Sequence, residues 1–438
     1  MALTAAWGCG IAAAVPGGSS DTPTTPEEER YAFHGQITFV EQATSDFNSP
    51  YQGRNSLSPR IGRETFDATA FFGVRFGPGA ELWVNPEVDQ GFGLDDTQGL
   101  AGFPSAEAYK VGRKSPYVRL PRLFIRQTLN LGGAEDPVAG AANQLAGRRS
   151  SDRLVFTLGK FSVVDVFDSN RYAHDPRGDF LNWAAVDAGT FDYAADAWGY
   201  TVGAAGEWYQ GRWTLRLGVF DLSDVPNSVH LEPGFHEFQK VMEIERRHEL
   251  AGREGKVLVT FFDSRGRMAL LSEAIRYADL SGTPVDPASV RGYRDRFGLS
   301  LSVEQSLTDA VGLFARMGAA SGNVEAYEFT DIDRTISTGI SVKGIRWNRN
   351  DDTCGLALIV NGISAERQRY LDAGGLGIII GDGRLPHPDT EQILESYYDV
   401  AITSGLHFGF DYQFARNPAY NADRGPVSIF AVRLHAEL

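Results

Sequence analysis

The chain has 438 residues, a formal net charge of −15, 11% aromatic residues and 49 glycines. A surplus of acid argues against nucleic acid, whose phosphates select for lysine and arginine patches, and favours neutral or cationic solutes over anions if the chain forms a pore. Cys9 and Cys354 are its only cysteines, which excludes a disulfide framework, a zinc ribbon and an iron–sulfur cluster.

No run reaches the ~18 consecutive apolar residues of a membrane-spanning helix, and mean hydropathy is slightly negative. A β-barrel escapes that test, because lipid-facing and lumen-facing residues alternate and cancel in any hydropathy window. Residues 1–30 open with small residues, lack a basic n-region and pass into TPTTPEEER. They read as a disordered arm or a signal-peptide remnant, with the folded domain expected over 31–438.

From Tyr31 onward, period-two alternation recurs in segments of strand length. Phe33, Ile37 and Phe39 alternate with His34, Gln36 and Thr38. Phe66, Ala68, Ala70, Phe72, Val74 and Phe76 then oppose Arg63, Thr65, Asp67, Thr69 and Arg75, and a Gly77-Pro78-Gly79 turn follows. In the next strand Leu82, Val84 and Val88 share one face, and Glu81, Trp83, Asn85, Glu87 and Asp89 share the other. Carboxylates in such a row cannot be buried unpaired in a dry core, so that face must look into water or at a polar ligand. Residues 91–112, with Phe92, Leu94, Leu100, Phe103 and Tyr109 among glycines, are too apolar for a plain surface excursion. They are expected to fold against protein, in the space the polar face lines.

Later strands keep this grammar. Leu123 and Ile125 oppose Arg122, Phe124, Arg126 and Thr128, and Leu154, Phe156 and Leu158 oppose Arg153 and Thr157. Trp198, Tyr200, Val202 and Trp208 turn through Gln210-Gly211 into Trp213, Leu215, Leu217 and Val219, and tryptophans at hairpin ends suit an aromatic girdle at a membrane surface. Further strands are expected over 256–262, 297–307, 311–320, 336–347, 354–363, 397–414 and 427–438, with turns around Asp352 and short helices at 269–278 and 365–371. The glycine-rich 374–383 has the wrong spacing for a dinucleotide site and reads as bulges or close backbone approach within a strand.

The segment 163–196 mixes Arg171, His174, Asp175, Arg177, Asp179, Asn182 and Trp183. Arginine and carboxylate beside indole is sugar-site chemistry: hydroxyls accept from one and donate to the other, while C–H faces lie on the ring. His174, Asp175 and Asp179 could ligate a metal, but such groups on a glycine-containing loop more often make turns and salt bridges. Paired carboxylates such as Glu81 and Glu87, or Glu64 and Asp67, could serve glycoside hydrolysis, yet nothing singles out one pair. Polar rows facing apolar rows in nearly every strand are explained together by a pore or large cavity.

The stretches HGQITFVEQ, RETFDATAFFGVRF, GAELWVNPEVDQGFGL, GLAGFPSAEAYKVG, RLPRLFIRQTLNLGG, NRYAHDPRGDFLNWA and FDYQFARNPAYNADRGPVSIFAVRLHAEL resemble the carbohydrate-selective outer-membrane porins of Gram-negative bacteria. The resemblance runs from about Tyr31 to Leu438, which stands where a terminal aromatic is usual. It implies an all-β fold, a monomeric transmembrane antiparallel β-barrel of about sixteen strands, or about eighteen, with inward-folded loops. It implies facilitated diffusion of glucose and related mono- and oligosaccharides. Candidate constriction residues are then Arg63, Glu64, Trp83, Asn85, Glu87, Asp89, Arg122 and Arg126 on strands, and Arg171, His174, Arg177, Asn182 and Trp183 on the folded loop. Trp83 and Trp183 would supply stacking surface. Implied partners are neutral sugars, outer-membrane lipid and lipopolysaccharide, and the barrel-assembly machinery, with no cofactor or metal. The alternatives are a general or cation-preferring diffusion pore and a glycan-processing enzyme.

Overall fold

The structure, a computed structural model, describes residues 28–109 and 111–438, so nearly all of the expected N-terminal arm lies outside the described residues. Alternation converts into strands in chain order: β1 (Tyr31–Thr44), β2 (Gly62–Gly77), β3 (Ala80–Gly91), β4 (Arg113–Val138), β5 (Gly147–Phe161), β6 (Thr201–Gln210), β7 (Trp213–Asp221) and β8 (Phe238–Leu250). The second half continues with β9 (Arg253–Met268), β10 (Gly292–Ser306), β11 (Val311–Ala320), β12 (Arg334–Gly344), β13 (Arg349–Gly362), β14 (Glu391–Thr403), β15 (Leu406–Arg416) and β16 (Val427–Glu437). Each strand pairs antiparallel with its sequence neighbours, and β1 pairs with β16 from Gln36↔Glu437 to Thr44↔Ile429, closing the barrel. Closure leaves no sheet edge, the condition for a β-structure to sit in hydrocarbon.

The two faces of the wall differ as the alternation requires. On β3, Trp83, Asn85, Glu87 and Asp89 are buried inward while Leu82, Val84 and Val88 stay partly exposed outward. Phe72, Leu158, Ile336, Leu358 and Phe430 continue the exposed apolar band around the barrel. Trp208 and Trp213 stand outward at the β6–β7 turn, where a girdle is expected. Trp198 does not belong to that girdle: it precedes β6, and its Nε1 donates to Tyr117 Oη at 3.1 Å.

Connections fall into two classes by end. Turns at 78–79, 139–146, 211–212, 251–252, 307–310, 345–348 and 404–405 are short, and those at 45–61, 92–112, 162–200, 222–237, 269–291, 321–333, 363–390 and 417–426 are long. Short turns mark the periplasmic end of such barrels and long loops the outer end. Helices α1 (Trp183–Val186), α2 (Leu271–Ser281) and α3 (Ala365–Asp372) all sit in long loops. These loops fill the lumen, and an apolar core of Leu94, Leu100, Phe103, Phe180, Trp183 and Tyr327 forms inside the barrel.

Four local expectations are corrected. The stretch 397–414 is the β14–β15 hairpin, whose turn at 404–405 is too short to interrupt the apparent alternation. β8 has no forerunner in the alternation, because Glu243 and Glu245 face inward while Lys240 and Arg246 face outward, and charge on both rows hides the period. Asp352 lies within β13 and pairs with Arg349 at 2.9 Å. Residues 374–383 form a luminal loop, which meets Asn55 through a backbone bridge at Gly381 and through the Asn55 amide, a donor to Gly377 O at 3.2 Å. The close approach there is real, since a Cβ on Gly53 would lie 2.3 Å from the Asp382 carbonyl carbon.

Candidate functional site

The loop 162–200 circles the inside of the wall, and inward polar rows hold it by its backbone. Asp168 N donates to Glu243 at 2.7 Å, Arg171 N to Glu304 at 2.6 Å, Leu181 N and Asn182 N to Glu395 at 2.5 and 3.1 Å, and Ala194 N to Gln239 at 2.9 Å. Wall arginines act on its carbonyls: Arg316 donates to Ala185 O at 2.6 Å, and Arg433 to Pro176 O and Asp179 O at 2.6 and 2.9 Å. Hydrogen bonds to charged groups contribute about 1.5–3 kcal/mol each. Much of the charge on the inner wall is therefore spent fixing the loop.

The second luminal segment, 92–112, is stitched across the first. Glu391 accepts from Ala101 N and Gly102 N at 2.9 and 2.7 Å, and the Gln42 and Gln413 amides both donate to Pro104 O. Trp183 N donates to Phe103 O at 3.0 Å, and the two rings stack with centroids 5.2 Å apart at 11°.

Between these loops lies a narrow cavity of about 80 Å³ bordered by Tyr109, His174, Trp183, Asp187, Trp198 and Tyr200. Its aromatic wall is propped from behind by charge. The Arg119 guanidinium stands 5.1, 5.2 and 5.4 Å from the ring centroids of Tyr109, Trp198 and Tyr200, and pairs with Glu87 at 2.8 Å and with Asp89. Arg122 grips Asp165 through two bonds of 2.6 and 2.7 Å and lies 5.0 Å over Tyr200. Burial opposes a charge on His174, but the hydrogen bond and charge of Asp187, 3.3 Å from its Nδ1, outweigh this and raise its pKa above the ordinary histidine value. Trp183 Nε1 and Thr97 Oγ1, both on residues lining the cavity, are buried without a hydrogen-bond partner. Such orphans are costly unless a ligand or water meets them.

Of the residues singled out from sequence, His174 and Trp183 border this cavity. Glu87, Asp89 and Arg122 stand directly behind its wall, while Arg177, paired with Asp67 at 3.3 Å and Glu107 at 3.1 Å, and Asn182, bonded to Gly102 O at 2.9 Å, hold the loops. Asn85 and Arg126 bind Asn143, at 2.8 Å each, and so fasten the 139–146 turn. Arg171 reaches Glu254 near the periplasmic rim at 3.4 Å. Arg63 is exposed where β2 begins. Glu64 is exposed on the outward row it shares with Phe66, and Trp83 is fully buried with its ring flat over Gly73, where a Cβ would meet it at 2.5 Å. Neither side chain faces the lumen's free space.

Arg119 escapes a reading by alternation for a definite reason. Asn85 pairs with Arg122 but Glu87 with Arg119, so one extra residue of β4 is inserted beside Pro121. That bulge returns Arg119 to the inner face occupied by Arg122. A proline two residues after an arginine inside a strand is the signal that could have found it.

A closed sixteen-strand barrel, apolar outside and with long loops folded into a polar lumen, defines an outer-membrane diffusion channel of the porin class. The chain belongs to the carbohydrate-selective porin OprB family, whose model it matches over residues 63–438, a family of channels and not enzymes. Among solved structures it is similar to the high-pH structure of Pseudomonas putida OprB, with a TM-score of 0.70 at 14% identity over 93% of this chain and 94% of that one. It is also similar to the outer membrane channel DcaP of Acinetobacter baumannii, with a TM-score of 0.50 at 8% identity over 93% of this chain and 97% of that one. At these identities the likeness is one of fold. No curated protein matches the sequence.

Proposed function

We propose that this porin carries glucose and related mono- and oligosaccharides by facilitated diffusion, as a monomer, and that the cavity beside Trp183 is the point where solute is read. The observation that carries this is Trp183, which borders an aromatic cavity shared with the Asp187 carboxylate and whose buried Nε1–H has no partner. A sugar offers what that surface lacks: hydroxyls that accept from the indole and donate to the carboxylate, and C–H faces that lie on rings. His174, Arg119 and Arg122 act as positioning residues, because they hold Asp187 and the rings of Tyr109, Trp198 and Tyr200 in place.

Passage requires the solute to exchange its water for these groups and then leave. Weak binding of about −4 kcal/mol, in the millimolar range, fits that cycle. The loops must yield to admit a hexose, since 80 Å³ holds only a few waters. Insertion would use the barrel-assembly machinery, acting on the closing strand β16. Single-channel recording in planar bilayers tests the reading: glucose-dependent interruption of the current is expected. Conductance indifferent to sugar would leave a general pore, and a reversal potential set by cations alone would leave a cation-preferring one.

A further inference from the structure

The outer face of the barrel carries a feature that contact with lipid tails does not require. Arg334 is the first residue of β12 and faces outward at the long-loop end. Its partners across the sheet are small, Ala319 on β11 and Gly362 on β13. Their lack of bulk opens a groove of about 910 Å³ along the outside of the wall. Leu299, Met317, Ile336 and Val360 line it with 43–60% of their surface exposed. Gln368 and Asp389, from the 363–390 loop, border the same groove.

The cation at the head of this groove is unpaired among the described residues, unlike Lys240 and Arg265 lower on the wall. On the same outer face Lys240 pairs with Asp263 at 3.3 Å and Arg265 with Asp295 at 3.1 Å. Arg334 has no carboxylate within ion-pair distance among the described residues. A free guanidinium at the edge of the hydrocarbon band is a fork for a phosphate group, which it holds through two parallel bonds. The apolar lining below it suits an acyl chain. Asp389 and Gln368, which border the same groove, can accept from sugar hydroxyls.

We propose that this groove seats lipopolysaccharide of the outer leaflet through its lipid A. One acyl chain lies along Leu299, Met317, Ile336 and Val360, a phosphate pairs with Arg334, and glucosamine hydroxyls meet Asp389 and Gln368. The site is separate from the sugar pathway, since Arg334 and Ala319 face away from the lumen.

Native mass spectrometry of the detergent-solubilised barrel, titrated with purified lipid A or with phosphatidylglycerol, tests it. One lipid A adduct is expected, held at least tenfold more tightly than phosphatidylglycerol. Arg334→Glu should weaken it at least tenfold, and so should Ala319→Phe, which fills the groove without changing charge. Both variants should keep wild-type single-channel conductance, which also shows that they fold. Retention of lipid A by both variants, preference for phosphatidylglycerol, or a discrete dimer replacing the adduct overturns the proposal.

Discussion

Replacing Trp183 by Phe removes the indole N–H together with two ring carbons. The phenyl ring keeps an aromatic face over Phe103, 5.2 Å away in the native stack, and removes Nε1–H, which has no partner in the protein. No internal hydrogen bond is lost, so a change in sugar block at unchanged open conductance reports the lost contact with solute. A net hydrogen bond contributes about 0.5–1.5 kcal/mol, which raises the half-blocking sugar concentration by about 2- to 12-fold. The assay is current-noise analysis on single channels titrated with glucose, which separates association from release. The loss should appear in the release rate, because the approach of solute to the cavity is unaltered. An unchanged half-blocking concentration at unchanged open conductance refutes the assignment of this cavity as the place where sugar is read.

The same recording on Trp83→Ala should show wild-type sugar block, because that ring is fully buried over Gly73. Its cost falls on stability, about 3–5 kcal/mol in denaturant unfolding, and a weakened block with stability intact would show that the ring meets solute. Glu391→Ala strands the Ala101, Gly102 and Ala419 amides, each at about 1–3 kcal/mol. A larger, noisier conductance as 92–112 loosens is the expected result, and a quiet native-sized pore would contradict the anchoring role. Burial, then the charge of Asp175, pushes the Asp179 carboxyl up to about 6. A group raised on folding stabilises fully below its ordinary value of 3.8 and loses that contribution as pH rises through about 6. Amide exchange over 174–182, corrected for intrinsic rates, should therefore be slower at acid pH than at neutral pH, and Asp179→Asn should flatten the dependence. Equal protection at both values in the native chain would dispose of this account.

The barrel was legible because alternation is a local property. Leu82, Val84 and Val88 against Asn85, Glu87 and Asp89 already separate the two faces of β3, and most strands repeat the separation, β8 being the exception. What alternation cannot report is how much of a polar row remains free. Glu391, Glu395 and Arg433 stand on inward rows, yet loop amides and carbonyls occupy them, and those loops are distant in the chain. Trp83 shows the same limit: its burial depends on Gly73 standing opposite in the preceding strand. Parity also fails at irregularities, as the residue inserted beside Pro121 shows for Arg119. Trp183 stood out because its indole lies among Arg171, Asp175, Arg177 and Asp179 in one loop segment, the mixture a sugar site uses.

The grip on loop 162–200 has a consequence for how the wall is shut. Arg433 of the last strand clasps Pro176 and Asp179, while Arg177 reaches Thr38 of the first strand and Asp67 of the second. Both sides of the final seam thus fasten to one strap inside. A sheet still gaping there would leave these guanidinium and carboxylate groups bare in a half-dry interior, at heavy cost. The strap thus ties the first and last strands together from inside, so the width of the bore and the continuity of the wall rest on the same contacts.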